Sequence, residues 1–395
     1  MKWCSALSQS PDLVAAIREA AASLRGDLAG AEPNLILMFL SEHHREGFRE
    51  ASALVGSEFG SGLVLGCTAR SVIGAGLEVE HGPAVSLAAA LLPGVTLQPF
   101  HYEMNDLPDA ERAREVWRER FGAAEGTPHC LLLSDPFSFE VEPLLRGLDA
   151  AFPASRVVGG VASSGTTPGD NALYVGSEVH RKGLVGVALS GDIEVDAVVA
   201  QGCRPVGSPM FVTRARENVL YELDGRPALV VLQELYRSLS PEDQTLCRGS
   251  LFLGIEMKEA QAEYQHGDFL IRNLLGSEED SGAIVVGAML HERAVVQFHL
   301  RDARTSAEDL DVRLERAAGQ LPAPVEGAVL FSCLGRGAGL YGEPHHDSTL
   351  LRERLGDVPV AGFFCNGEIG PVQGQTFLHG YTSAFALFRP RALRH

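Results

Sequence analysis

The stretch GFFCNGEIG at residues 362–370 has a counterpart near the other end of the chain, GCTARSVIG at residues 66–74. Both begin and end with glycine, and both have isoleucine before the final glycine. An apolar run ending in serine precedes each one: LILMFLS ends at Ser41, and AVLFS ends at Ser332. Short apolar runs followed by glycine-containing loops are typical of strands that end in turns. The two stretches therefore predict a structural unit that the chain uses more than once.

A third and weaker copy lies between these two. CLLLS ends at Ser134 and RVVGG contains Gly159, 25 residues later, the same spacing as from Ser41 to Gly66. Each copy closes with another apolar run, VSLAAALL, LVGVALS or SAFALF. The chain is thus predicted to use a β–loop–α–β–loop–β unit three times. Matching loops at matching strand ends would meet, and that meeting point is the predicted working site.

Alternation of strands and helices predicts an α/β (α+β) fold with mixed sheets flanked by helices, in two domains. The loop before each closing strand is too short for a crossover helix, so that strand is predicted to form an antiparallel hairpin with the strand before it. A Gly- and Pro-rich segment at 202–209 predicts the domain boundary. The predicted divisions are an N-terminal helix at 1–29, a domain of two units at 30–205, and a domain at 210–390. The last consists of an insert at 210–325 and the third unit.

Charge and cysteine usage limit the classes of partner and compartment. The 395 residues include 33 basic and 51 acidic side chains, a formal charge of −18, so nucleic acid and anionic membranes are not expected partners. The first 25 residues read as an amphipathic helix after Pro11 and not as a targeting segment, and no apolar run is long enough to span a membrane. Seven scattered cysteines, without CxxC pairs, predict a reducing cytoplasmic location.

Neither a metal nor a cofactor is predicted. The adjacent pairs His43-His44 and His345-His346 have no HxxxH or CxxC spacing nearby, and neighbouring side chains on extended backbone point to opposite faces. GAGLYG at residues 337–342 is a literal GxGxxG, but Pro344 and the histidines intervene before a helix can begin. A dinucleotide site needs the helix to start at once.

The strand-end loops supply the candidate ligand-binding residues. Arg336 stands between glycines, which suits a bidentate grip on a carboxylate. Glu368, also between glycines, and the nearby Asn366 are predicted to take an ammonium or polar group. The alternatives for Glu368 are a solvated turn carboxylate or a carboxylate that caps a neighbouring loop. The opposite half is predicted to contribute small polar side chains: Cys67, Thr68, Ser71, Ser163 and Ser164.

These motifs carry a family resemblance. GAVLFSCLGRG (327–337), VPVAGFFCNGEIGPV (358–372) and FLHGYT (377–382) resemble the C-terminal half of FIST sensory proteins, and LVLGCTARSVIG (63–74) resembles their N-terminal domain. The resemblance covers about residues 30 to 388. It implies a small-molecule-binding sensory protein whose ligand, an amino acid or related metabolite, lies in a cleft between the two FIST domains. In eukaryotes the module can be fused to an F-box, and no such output domain is recognised in this chain.

Two other function classes remain open. A cysteine-dependent enzyme would use Cys333 or Cys365 as nucleophile with His379 as base, although no hydrolase signature surrounds them. A protein-recognition scaffold would favour a basic partner because the chain is acidic. SAFALF at 383–388 is predicted to be a sheet-edge strand, and an open edge would allow a homodimer.

Overall fold

The computed structural model of the protein describes residues 1–122, 126–258, 261 and 263–391, which divide into two compact units. Unit 1 comprises Met1–Val199, Leu310–Leu378 and the chain from Thr382 onward, and unit 2 comprises Ala200–Asp309 and His379–Tyr381. The compact units therefore differ from the sequence divisions: the third repeat belongs with the first two, and most of the segment predicted as an insert forms a unit of its own.

The first repeat begins earlier than predicted, with a strand and a helix ahead of its first parallel strand. The elements of the first repeat are β1 (Lys2–Ser8), α1 (Leu13–Asp27), β2 (Leu35–Ser41), α2 (Ala51–Phe59), β3 (Leu63–Ala69), β4 (Val72–Gly74), β5 (Leu77–Val79) and β6 (Val85–Leu91). A 3₁₀ helix, Glu42–Gly47, follows β2. The N-cap of α1 is Asp12, whose carboxylate accepts a hydrogen bond from the Ala15 N–H at 2.7 Å, so Pro11 lies outside the helix.

The second repeat has the same element order. It comprises β7 (Val95–Tyr102), α3 (Ala113–Phe121), β8 (His129–Ser134), α4 (Glu142–Ala151), β9 (Val157–Val161), β10 (Leu173–Val175), β11 (Glu178–His180) and β12 (Leu184–Gly191). The strand and helix that open it, β7 and α3, correspond in order to β1 and α1. Each repeat therefore has two helical crossovers and a short hairpin.

The third repeat is interrupted in the chain by unit 2. β13 (Ile193–Gln201) is followed by β14 (Cys203–Arg216), β15 (Val219–Leu223), β16 (Arg226–Pro227), α5 (Ala228–Ser238), α6 (Pro241–Ser250), β17 (Leu251–Glu256), β18 (Phe269–Glu278), β19 (Ala283–Val286) and β20 (Val295–Arg301). The repeat then continues with α7 (Ala303–Gln320), β21 (Gly327–Cys333), α8 (Ala338–Tyr341), α9 (His346–Leu355), β22 (Val360–Cys365), β23 (Glu368–Val372), β24 (Gln375–His379) and β25 (Thr382–Pro390). In the described part of the chain, no helix is both long enough and apolar enough to cross a membrane.

Unit 1 contains three six-stranded sheets with one shared plan. Their strand orders are β1-β6-β2-β3-β10-β11, β7-β12-β8-β9-β23-β24 and β13-β25-β21-β22-β4-β5. In each sheet the two central strands are parallel, and the closing strand of the repeat pairs antiparallel with the first of them. The hairpin of each repeat leaves its own sheet and extends the sheet of another repeat. The prediction that each closing strand would pair with the strand before it is wrong. The hairpin lies between these two strands in sequence, so the closing strand reaches the other side of the first parallel strand and pairs there.

The repeated glycine is explained by the close approach of the parallel strands. Its three copies face corresponding residues across the strand pair: Gly66 faces Met38, Gly159 faces Leu132, and Gly362 faces Leu330. At all three positions a Cβ atom would overlap the carbonyl oxygen of the facing residue. Ser134 and Ser332 are equivalent, because each lies two residues after the residue that faces the repeated glycine. Ser41 lies three residues after Met38, so it is one position out of the predicted alignment.

The closing strand β25 lies inside its sheet, between β13 and β21, and its residues from Thr382 to Arg389 are buried. The prediction that SAFALF forms an open sheet edge is therefore wrong. Its apolar character reflects burial on both faces. The reason for expecting a homodimer through this strand is removed.

Unit 2 is an antiparallel barrel, a shape that the sequence did not indicate. Its strands follow the order β14-β20-β17-β18-β19-β15, and β14 also pairs with β15, which closes the ring. The long strand β14 reaches both neighbours because its register with β20 shifts between Val206 and Met210. Such an irregularity bends a strand and allows a sheet to close. The barrel core includes Val212, Leu253 and Phe298.

Candidate functional site

The loops of the three repeats meet inside unit 1. An equivalent backbone hydrogen bond recurs at each junction between repeats: the N–H of Thr68 donates to Ala172, that of Val161 to Gly367 and that of Phe364 to Ser71, with N···O distances of 3.0, 2.9 and 3.0 Å. These bonds extend the pairing of each second strand with the hairpin of another repeat. The strand-end loops that the sequence predicted to converge are therefore brought together by the same geometry three times.

Ser163 links all three repeats at one point. Its hydroxyl accepts a hydrogen bond from the Arg70 N–H at 3.1 Å and donates one to the carbonyl oxygen of Phe364. The Phe364 N–H in turn donates to Ser71. Ser163 and Ser71 are buried, so these bonds satisfy backbone groups that water does not reach. The predicted binding residues Ser71 and Ser163 thus help to hold the loops in place.

A cavity of about 370 Å³ opens beside this junction. Its lining consists of Glu42, His43, Arg70, Ser71, Glu80, His81, Gly82, Leu334 and Phe364. All of these belong to repeats one and three, and most directly follow a strand: β2, β3, β5 or β21. Its volume lies within the range of small-molecule sites. Of the predicted binding residues, only Ser71 lines it.

The cavity combines one arginine with two carboxylates. Within the described part of the chain, the Arg70 guanidinium makes no hydrogen bond and no ion pair, and Arg70 is exposed. The carboxylate of Glu80 accepts a hydrogen bond from the Ala338 N–H at 2.8 Å. Sequence reasoning passed over Arg70, Glu42 and Glu80, although each follows a strand of the repeat, which is the signal that would have found them.

Arg336 is buried behind the junction and is already paired. It is 2% exposed, and its Nε and Nη2 donate to the two oxygens of Asp347, each at 2.9 Å. Ser332 and Ser383 also donate to Asp347. Burial alone would raise the pKa of Asp347, but the Arg336 charge outweighs it and holds that pKa well below its usual range. Arg336 was predicted to bind a ligand carboxylate, but in the structure it forms a bidentate ion pair with a carboxylate of the protein itself.

The hairpin of repeat one docks on this cluster through a second buried carboxylate. Glu78 accepts a hydrogen bond from the Ser348 N–H at 2.7 Å, at the start of α9, and its own N–H donates to His345 Nδ1 at 2.9 Å. Burial, and next the nearby charge of Asp347, raise the pKa of Glu78 to about 7. His345, considered in sequence as a metal ligand, therefore serves here as an acceptor for the hairpin backbone.

Glu368 is buried at a position where the other repeats have apolar residues. It pairs with Gly160 as Val72 pairs with Phe363, which confirms the alignment of GFFCNGEIG with GCTARSVIG and makes Glu368 the equivalent of Val72. Its Oε2 accepts hydrogen bonds from the N–H and the hydroxyl of Thr382 at 3.1 and 2.9 Å. Burial raises the pKa of Glu368 to about 8, although the charge of Arg336 opposes that rise. The solvated-turn alternative is wrong, because Glu368 is 0% exposed.

The remaining predicted polar residues lie at or just after the same strand ends but outside the cavity lining. Ser164 lies within hydrogen-bond distance of Thr68 and of Asn171, 2.7 and 3.0 Å away, and all three are buried. Asn366 is exposed, and its amide donates to the carbonyl oxygen of Ala162 at 3.1 Å. These contacts join repeats one, two and three.

The two cysteines of the enzyme alternative, Cys333 and Cys365, face each other across the parallel strands β21 and β22, and the pKa of Cys365 is raised rather than lowered. Burial raises the pKa of Cys67 and Cys365 well above 9, and for Cys365 the charges of Glu368, Cys67 and Cys333 add to that rise. A raised pKa lowers the fraction of reactive thiolate. Cys333 is half-buried. His379 is buried and belongs to unit 2, whereas Cys333 and Cys365 belong to unit 1.

Comparison with known proteins finds relatives along nearly the whole chain. An uncharacterized protein of Mycobacterium tuberculosis is 40% identical over 382 residues, which are 97% of this chain and 98% of that protein. An uncharacterized protein of Mycobacterium bovis is 37% identical over 379 residues, 96% of each. An F-box/LRR-repeat protein of Arabidopsis thaliana is 23% identical over 320 residues, 66% of this chain and 57% of that protein.

Among solved structures, cyanuric acid hydrolase is similar with a TM-score of 0.33 and 9% identity, over 99% of this chain and 100% of that one. The FIST N domain matches residues 34–226, and the FIST C domain matches residues 228–371. The two domains together account for most of the sequence, and they include every residue that lines the cavity. The chain belongs to the FIST family.

Proposed function

We propose that this protein is a small-molecule-binding sensory protein whose ligand is an amino acid or a closely related zwitterionic metabolite. The family to which it belongs is associated with small-ligand sensing. The binding site is the cavity beside the junction of the repeats. The observation that carries the proposal is the Arg70 guanidinium, unpaired among the described residues and lining the same cavity as Glu42 and Glu80.

The charges of the lining match the two ends of a zwitterion. Arg70 binds the ligand carboxylate, because a guanidinium presents parallel donors to two oxygens. Glu42 and the unengaged oxygen of Glu80 accept from the ligand ammonium. Phe364 and Leu334 contribute an apolar surface for a side chain. The lining comes from both matched domains, with residues 42–82 in the FIST N domain and residues 334 and 364 in the FIST C domain.

The test is thermal denaturation of the apo protein against a panel of amino acids and central metabolites. A ligand at 100 times its dissociation constant stabilises the folded state by about 2.7 kcal/mol. Each stabilising amino acid is compared with its carboxamide and with the corresponding amine, both of which lack the carboxylate. Loss of the shift with both analogues supports the assignment of Arg70. A panel without any stabilising member would overturn the proposal.

A matched pair of variants locates the site. Arg70→Gln removes the cation of the cavity and should abolish the shift. Arg49→Gln, on an exposed arginine that does not line the cavity, should leave the shift unchanged. Equal shifts in the wild type and in Arg70→Gln would place the ligand elsewhere.

A further inference from the structure

Helices α5 and α6 of unit 2 leave an apolar face partly open. Leu229, Leu232 and Tyr236 lie on one stripe of α5, at the spacing of a core-facing helix side, yet all three are only half-buried. Of the residues in the two helices, Ala228 alone is fully buried. A stripe of this kind is normally covered in a folded protein.

The open face forms one wall of a cavity of about 410 Å³. Its lining consists of Leu229, Leu232, Gln233, Tyr236, Arg237, Cys247, Arg248 and Leu251. The leucines and Tyr236 make the surface mainly apolar, and the volume is that of a small-molecule site. The cavity is thus an open groove whose size suits a compact ligand. None of its residues belongs to the candidate site in unit 1.

Two arginines give this cavity a positive charge on an acidic protein. Both Arg237 and Arg248 are exposed, and neither guanidinium makes a hydrogen bond or an ion pair with the part of the chain that the structure describes. The whole chain carries a formal charge of −18. An apolar cavity with unpaired guanidinium groups favours an anion with an apolar body.

We propose that this cavity binds a small amphipathic anion, such as a medium-chain fatty carboxylate. The hydrocarbon body packs on Leu229, Leu232 and Tyr236, and the carboxylate accepts hydrogen bonds from Arg237 and Arg248. The proposal does not depend on the function assigned to unit 1.

Cys247 provides a readout inside the cavity. Its thiol is half-buried and lines the wall, so a bound ligand shields it from iodoacetamide. Burial raises the pKa of Cys247, so labelling is performed at pH 8.5, where enough thiolate forms to react. The rate is followed by mass spectrometry of the peptide that contains Cys247. Decanoate at ten times its dissociation constant should slow labelling roughly tenfold, because occupancy then exceeds nine-tenths.

The controls separate charge from apolarity. Decyltrimethylammonium has the same tail with the opposite charge, and acetate has the carboxylate without the tail; neither should protect Cys247. The double variant Arg237→Gln/Arg248→Gln should weaken decanoate binding at least about tenfold. Arg216→Gln, on an exposed arginine of β14 outside the cavity, should bind decanoate like the wild type.

The outcomes decide the proposal. Protection by decanoate that depends on the two arginines supports it. No protection at millimolar decanoate, or equal protection by the cationic analogue, overturns it. Labelling without decanoate that becomes faster on dilution would mean that a second copy of the chain covers the cavity, and this outcome would also overturn it.

Discussion

The guanidinium of Arg336 and the carboxylate of Asp347 form a bidentate ion pair that is almost wholly removed from solvent, at 2% and 1% exposure. Ser332 and Ser383 donate further hydrogen bonds to the same carboxylate. Taking both charges out of water is costly, and their mutual attraction offsets that cost only while both are present. Substitution of either Arg336 or Asp347 alone is therefore expected to be strongly destabilising. It ties β21, β25 and α9 of repeat three to one point.

Arg336→Ala should destabilise the protein by about 3–5 kcal/mol in urea unfolding, because Asp347 would remain buried without its partner. The matched control is Arg354→Ala. Arg354 forms an equally bidentate pair with Asp311, at 2.6 Å for both contacts, but these two side chains are 36% and 32% exposed. Solvent screening limits that pair to less than about 1 kcal/mol. Similar losses of unfolding free energy in the two variants would show that burial does not set the contribution of the Arg336–Asp347 pair.

Glu368→Gln should flatten the dependence of stability on pH. The pKa of the Glu368 carboxyl is raised from 4.5 to about 8 in the folded protein. Its contribution to stability is therefore full below about pH 4.5 and is lost as pH rises through about 8, a loss of at most about 5 kcal/mol. The free energies of unfolding of the variant and the wild type should be most similar near pH 5. The variant should become increasingly more stable than the wild type up to pH 8. Urea unfolding at pH 5, 6, 7 and 8 measures this, and parallel profiles would count against it.

Gly362→Ala should destabilise the protein by more than about 3 kcal/mol, because a Cβ atom there would overlap the Leu330 carbonyl oxygen on the parallel strand. Gly56 is the control. It lies in α2 with open space where its Cβ atom would be, so Gly56→Ala should stabilise by up to about 1 kcal/mol. Thermal unfolding of both variants checks the pair. A tolerated alanine at position 362 would show that the strand spacing is not what requires glycine.

Cys365 should react with iodoacetamide at pH 8 more than about 100-fold slower in the native protein than in urea, because its thiol is buried and its pKa is raised. Cys333, which is half-buried, should label faster than Cys365. Peptide mass spectrometry resolves the two sites. If either thiol labelled faster than free cysteine in the native state, the cysteine-dependent enzyme would regain support.

Local features of the chain were enough to predict the repeats. A strand is recognised by its own apolar run, and α9 by its glycine stop at Gly356, since both depend on neighbouring residues only. The equivalence of Glu368 with Val72 could be predicted for the same reason. The leading strand β1 was missed because KWCSALS, which mixes polar and apolar residues, has no long apolar run.

The tertiary structure decided how the repeats are joined and which polar groups remain available. Hairpins of three to five residues per strand can pair with any free strand edge, so the exchange of β4, β10 and β23 between repeats is a matter of global packing. Two arginines in glycine-containing or polar loops look alike in sequence. Arg336 pairs with Asp347 of α9 and is buried. Arg70 has no hydrogen-bond or ion-pair partner for its guanidinium among the described residues, and it lines the cavity. The difference arises because a charged side chain is buried only where the fold brings an opposite charge next to it.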